Sequence, residues 1–289
     1  MNSIDVVINS RKASIGPSMD VRRILPFRER RMVGPFCFLD HMGPALIQPD
    51  RDNDVKPHPH IGLSTVTYLF EGRLTHRDSL GTLQDIEPGD VNWMTAGKGI
   101  VHSERTPLSE KHGSARLHGL QAWVALPIEC EQMEPQFRHH PKTSLPHFDI
   151  DGTAMTLIAG SAFGYNSPVQ THSRLFYIEA KIPMDGFLKF DPQEQEAAFY
   201  IVHGEVKIDG SSYQEGQLVV FKKNSRIEIR ATKKTHGLIL GGEPIGSRYI
   251  DWNFVASNKE LIEAAKVKWK EQKFDKIKGE AEWTPLPQR

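Results

Sequence analysis

The sequence predicts an all-β chain of two like domains, closed by one helix near its C-terminus. Three observations carry this expectation. Apolar residues recur in short alternating runs bounded by Gly, Pro, Asn and Asp, the pattern of a sandwich or barrel. Two stretches of the second half repeat two of the first. A helical period emerges only after residue 255. At 289 residues the chain is long enough for each domain to bury its own core.

Taken in order, Ser64-Thr65-Val66-Thr67-Tyr68-Leu69-Phe70 alternates as a strand, Glu71-Gly72 turns it, and Arg73-Leu74-Thr75-His76 begins a return strand that runs to Asp78. A polar turn at Gly81 and the turn Glu87-Pro88-Gly89-Asp90 lead into a further strand. The glycine-rich bend Thr95-Ala96-Gly97-Lys98-Gly99 then introduces Ile100-Val101-His102-Ser103-Glu104. In the second half, Ala198 to Ile208 reads like Thr67 to Leu74, and Glu215 to Phe221 mirrors Glu87 to Trp93. A repeat of this length points to duplication. The polar stretch from Glu129 to Pro146 is the natural break, so residues 1–130 are expected as an N-terminal domain, 131–146 as a linker and 147–289 as a C-terminal domain. Ser257-Asn258-Lys259-Glu260 has the capping-box pattern, and Leu261, Ala265 and Trp269 follow at four-residue steps. This predicts a helix over about 257–274 that covers one β-domain.

Lys+Arg and Asp+Glu both number 36, so no net charge drives binding to nucleic acid or to acidic lipid. Two cysteines, Cys37 and Cys130, exclude a disulfide framework and point to a reducing compartment. Cys37, within Pro35-Phe36-Cys37-Phe38-Leu39, reads as a small buried hydrophobe. Neither a signal-type apolar stretch in Met1–Pro17 nor an apolar run of membrane length is present, and a soluble cytoplasmic protein is expected.

The chemistry is written in Pro57-His58-Pro59-His60 and, some forty residues on, His102-Ser103-Glu104. Residues at i and i+2 of a strand share a face and lie roughly 6.6 Å apart. Two such strands in one small barrel can aim His58, His60, His102 and Glu104 at a single point. A His-x-His pair alone is a weak signal; here the pairs flank a β-meander that can bring them together. Imidazoles plus a carboxylate suit a borderline metal, and four protein ligands on an octahedral ion leave two positions free, as in non-haem Fe(II) oxygenases. Zinc is the alternative, although catalytic zinc more often has three protein ligands. His139 and His140 read as solvated, His172, His203 and His236 lack partners at ligand spacing, and His41 is either a core histidine or a group that orients a ligand.

Three stretches resemble the pirin family of the cupin superfamily: Phe36-Cys37-Phe38-Leu39-Asp40-His41-Met42-Gly43-Pro44; Pro57-His58-Pro59-His60-Ile61-Gly62 with Thr65 to Gly72; and Trp93 to Glu104. Leu240-Gly241-Gly242-Glu243-Pro244-Ile245 looks like the family's closing strand. The resemblance implies a bicupin, two face-to-face cupin (double-stranded β-helix, jelly-roll-like) domains with a short C-terminal helix. It further implies one divalent metal per chain, held in the N-terminal domain by His58, His60, His102 and Glu104. Fe(II) is the first choice, with Zn, Mn, Ni and Cu as alternatives. Ser64 stands where many members carry a glutamate. Aligning the internal repeat places Phe190 and Pro192 opposite His58 and His60, and Ile229 and Ala231 opposite His102 and Glu104, so the C-terminal domain is expected to lack metal ligands.

What the resemblance implies about function falls into two classes. One is a dioxygenase of the quercetinase type, opening a flavonol ring with O₂, with Glu104 as catalytic base toward the substrate hydroxyl. The other is a metal-containing, redox-sensitive regulator of a protein partner (a transcription cofactor, nuclear in a eukaryote, or an enzyme modulator). A zinc cupin isomerase is a third, minor reading.

Overall fold

In a computed structural model the chain is described over residues 2–15, 19–47, 54–107, 110 and 116–287. The fold is mostly β, with the single α-helix of the described residues at Lys259–Lys270. Contacts divide the chain into two compact units. The first comprises Lys12–Val21, Asp40–Lys142 and Gly246–Arg289; the second comprises Met1–Arg11, Arg22–Leu39 and Thr143–Ile245.

This grouping differs from the linear division at 130 and 147. The N-terminal strand Ile4–Asn9 belongs to the second unit because it pairs, antiparallel, with Gln217–Phe221. The C-terminal segment belongs to the first because Phe254, Ala256, Ile262, Ala265 and Trp269 bury their apolar surface against Ile61 and Val101. The stretch expected as a linker carries the strand Gln136–His140, which pairs with Val91–Thr95. Its alternation was hidden by its polar composition.

In the first unit a four-stranded antiparallel sheet runs in the order Val55–His60, Ile100–Arg105, Leu74–Asp78, Leu83–Ile86. A larger sheet contains, in hydrogen-bonded order, Gln136–His140, Val91–Thr95, Leu63–Glu71 and Arg116–Ala125. The second unit repeats the smaller sheet as Phe187–Phe190, Ile227–Ala231, Glu205–Ile208, Ser211–Gln214. The internal repeat in the sequence is therefore a repeat of topology.

Register corrects one detail of that repeat. His102 pairs with His58 in the first unit, and Ile229 pairs with Leu188 in the second. The counterparts of His58 and His60 are thus Leu188 and Phe190, two residues earlier than the sequence alignment places them. Leu188, Phe190, Ile229 and Ala231 all lie in one apolar core with Val206 and Ile208. Where the first unit spends its interior on polar chemistry, the second fills it with hydrocarbon.

The helix begins one residue later than the capping box implies. Asn258 is the N-cap, its side chain accepting from the Leu261 N–H at 3.0 Å. The Ser257 hydroxyl instead donates to Glu131 at 2.6 Å. The helix ends at Lys270 rather than near Phe274, and its buried residues are Ile262, Ala265 and Trp269. Directly after His60, Gly62 adopts φ +67°, and a Cβ there would sit 2.0 Å from the Val255 carbonyl oxygen. Only glycine fits both constraints, and its close approach lets Val255 N–H reach the Ile61 carbonyl. No helix among the described residues is long and apolar enough to cross a membrane.

Candidate metal centre

Three neighbouring strands of the smaller sheet each present two polar side chains at i and i+2: His58 and His60, His102 and Glu104, His76 and Asp78. Pairing places His102 between His58 and Asp78, and Glu104 opposite His76. All six are buried. Of the four expected ligands, the structure gathers His58, His60 and His102, whose ligand atoms lie within 4.8 Å of one another. Glu104 lies outside that group. Its carboxylate is within hydrogen-bond reach of the Thr67 hydroxyl at 3.2 Å and accepts from the Gln121 amide at 3.3 Å.

Hydrogen bonds settle which nitrogen each of two rings presents. His58 Nδ1 lies 2.8 Å from the Lys56 carbonyl, and His60 Nδ1 lies 3.0 Å from that of Asn253. A carbonyl accepts only, so both Nδ1 atoms carry the proton and both Nε2 atoms are bare lone pairs. His60 Nε2 in turn lies 3.1 Å from His102 Nε2. Backbone carbonyls that fix the tautomer of inward-facing imidazoles are the usual support of metal-bound histidine. The donor set fits a divalent transition metal.

Burial makes these rings reluctant to protonate. His58 is pushed down to about 4, chiefly by burial and against the pull of the Lys56 carbonyl. His60 and His102 are held well below the ordinary histidine value by burial and by the other imidazoles. Glu104 moves the other way: burial raises its carboxyl, partly offset by His76, Thr67 and Gln121. Burial also opposes ionisation of Asp78, but His76 and the Thr82 N–H hold that carboxyl below its usual range.

A pH dependence follows for the metal-free protein. Between about pH 6.5 and pH 4 the unfolded chain binds protons at these histidines that the folded chain refuses, so stability rises with pH there and falls on acidification. His58 alone accounts for on the order of 3 kcal/mol. Glu104 acts in the opposite sense above its unfolded value, one group against three. The urea midpoint of chelator-treated protein is expected to drop between pH 7 and pH 5; an unchanged midpoint contradicts the buried neutral triad.

Several residues of the site were not singled out by the sequence. His76 and Asp78 carry the same i, i+2 signal, in His76-Arg77-Asp78, and that signal was legible. Thr67, Gln121 and Trp123 lie on strands of the larger sheet, with the Trp123 ring edge-on to His60 at 5.2 Å between centroids. Nothing in sequence spacing marks them. Ser64, an odd number of residues from Thr67, faces the opposite side of its strand, where its hydroxyl meets that of Thr95 at 3.0 Å. His41 is a core histidine that stacks on His118, with Nε2 atoms 2.8 Å apart. His139 is half-buried and bonded to Asn92 rather than free in solvent. His203 and His236 pair with Glu215 and Glu179.

Comparison with known proteins agrees with the two-unit fold. The pirin family model matches residues 18–124, and the model of the pirin C-terminal cupin domain matches residues 177–275. A pirin-like protein of Caulobacter vibrioides is 47% identical over 290 aligned residues, covering 99% of this chain and 100% of its own. Pirin of Homo sapiens is 31% identical over 271 residues, 91% of this chain and 90% of its own. The crystal structure of quercetin 2,3-dioxygenase from Acinetobacter baumannii superposes with a TM-score of 0.91 at 34% identity, covering 99% of this chain and 96% of that one. With two cupin units in the family's order and three histidines converging in the first, this chain belongs to the pirin family.

Proposed function

We propose that the protein is a metal-dependent dioxygenase that takes a flavonol- or catechol-like substrate and O₂. The observation that carries this reading is the convergence of His58, His60 and His102 beside a separately held, buried Glu104. The structural likeness to a quercetin 2,3-dioxygenase supports it. Fe(II) is the metal of choice; when bound it supplies Lewis acidity to the substrate oxygens and a reductant for O₂. His58, His60 and His102 would hold the metal, and Glu104 would either join them as a ligand or accept the substrate's hydroxyl proton. Its raised affinity for a proton suits the second role. Gln121, its own amide oxygen accepting from the Thr67 hydroxyl at 2.7 Å, holds the carboxylate ready, and Trp123 offers an aromatic edge beside His60 for a planar substrate. A reducing, cytoplasmic setting belongs to the same proposal, since two cysteines in 289 residues build no disulfide framework.

Oxygen uptake by Fe(II)-loaded protein across a flavonol and catechol panel tests the reading. Glu104→Gln is expected to keep most of the metal while turnover falls by roughly 10²–10⁴-fold, the usual share of a positioned proton acceptor. Turnover unaffected by that change removes Glu104 from the chemistry. The near-complete burial of the triad, 0–8% exposed, favours a second reading in which the iron is redox-sensing and a protein partner reads its state. Absence of turnover across the panel, with partner affinity that follows iron oxidation state, decides for that reading.

A further inference from the structure

We infer that His76 and Asp78 are a positioning pair that locks His102 in its Nδ1–H tautomer and so turns its Nε2 lone pair toward the metal; this rests on the metal-site reading above. Asp78 is the fixed end of the chain. Its Oδ1 accepts from the backbone N–H groups of Leu80 at 2.9 Å and Thr82 at 3.0 Å. Its Oδ2 faces His76 Nε2 at 3.0 Å, and a carboxylate held by N–H donors offers that ring nothing but an acceptor. As a neutral ring, His76 therefore carries its proton on Nε2 and presents a bare Nδ1. That atom lies 3.4 Å from His102 Nδ1, which can satisfy it only by donating. With Nδ1 protonated, His102 has a bare Nε2, and this is the atom 3.1 Å from the bare Nε2 of His60. A proton on His102 Nε2 would close that contact as a hydrogen bond; with the proton held on Nδ1 by His76, two lone pairs face each other there and a shared cation reconciles them. Phe137, stacked on His76 at 4.3 Å with the planes 21° apart, keeps the relaying ring from turning. In the second unit the strand equivalent to that of His76 and Asp78 carries Val206 and Ile208, so the pair is absent where the ligands are absent.

Asp78→Asn tests the pair with little change of shape. The two backbone N–H groups keep the amide oxygen on their side, so the amide NH₂ must face His76 Nε2. The chain of tautomers then inverts, and His102 is left with a proton on Nε2 where the metal should bind. Long-range ¹H–¹⁵N spectra of the metal-free protein are expected to show His102 protonated on Nδ1 and His76 on Nε2, and both reversed in Asp78→Asn. Affinity for Co(II), read by chelator competition, should fall roughly 10–100-fold in this variant, the usual cost of an outer partner of a metal ligand. His76→Gln, whose amide can accept from His102 and donate to Asp78, should restore most of the affinity that His76→Phe loses. Finding His102 protonated on Nε2 in the unaltered chain, or Co(II) affinity unchanged in Asp78→Asn, overturns the inference. Failure of the unaltered chain to bind Co(II) overturns the metal site itself, whereas the ring tautomers, read without metal, test the pair alone.

Discussion

Replacing His102 by alanine is expected to remove metal from the protein altogether. His102 lies at the middle of the smaller sheet, opposite His58 on one side and Asp78 on the other, and its Nε2 is 3.1 Å from that of His60. Its loss leaves two imidazoles and an outlying carboxylate, too few donors for a closed buried site. The loss in affinity should exceed the roughly 10–100-fold that an outer partner costs. Metal content after anaerobic Fe(II) loading and desalting measures it directly. Because ligand saturation at about 1,000 times Kd adds about 4 kcal/mol to folding, the variant should also lose the metal-dependent rise in thermal midpoint. His203→Ala is the control. His203 is exposed in the second unit and paired to Glu215, so metal content should not change. Equal loss in both variants contradicts a single site built on His58, His60 and His102.

The convergence of the histidine phrases was legible because they report a local rule. Residues at i and i+2 of a strand share a face whatever the rest of the chain does, and His58, His60 and His102 met as their spacing implied. The two-unit β fold was legible for the same reason, through alternation and glycine turns repeated in both halves. What stayed hidden depended on pairing across long separations. Asn253 reaches His60 from 193 positions away, and Glu280 accepts from the Ser103 hydroxyl across 177. No period in the sequence announces that residues 253–284 brace the strands that carry the candidate ligands. Glu104 shows a subtler gap. Spacing puts it on the correct face, but its rotamer answers to Thr67 and Gln121 on the larger sheet rather than to the histidines. Ser257 shows the reverse case, a sound local motif overruled when a buried Glu131 claimed the hydroxyl.

Trp269→Ala should destabilise the protein and, from a distance, its metal site. The indole is 5% exposed and packs against Trp252, Phe274 and Trp283, and its Nε1–H donates to the Thr284 carbonyl at 2.9 Å. Truncating a buried tryptophan costs about 3–5 kcal/mol through lost transfer energy and the cavity left behind. The damage does not stop at the helix. Thr284 N–H donates to the Pro57 carbonyl at 2.9 Å, between the Lys56 carbonyl that orients His58 and the ligand itself, and the Asn253 carbonyl that orients His60 lies in the same segment. Loosening that segment frees both rings to turn, so the urea midpoint and the Co(II) affinity should fall together. Val267→Ala, on the exposed face of the same helix at 53% exposure, should stay within about 0.5 kcal/mol and keep its metal. If Trp269→Ala opens the segment to protease while Co(II) binds as tightly as before, the ligand strands stand on their own sheet. The C-terminal segment is then a cover for the apolar surface of Ile61 and Val101, and no part of the metal centre.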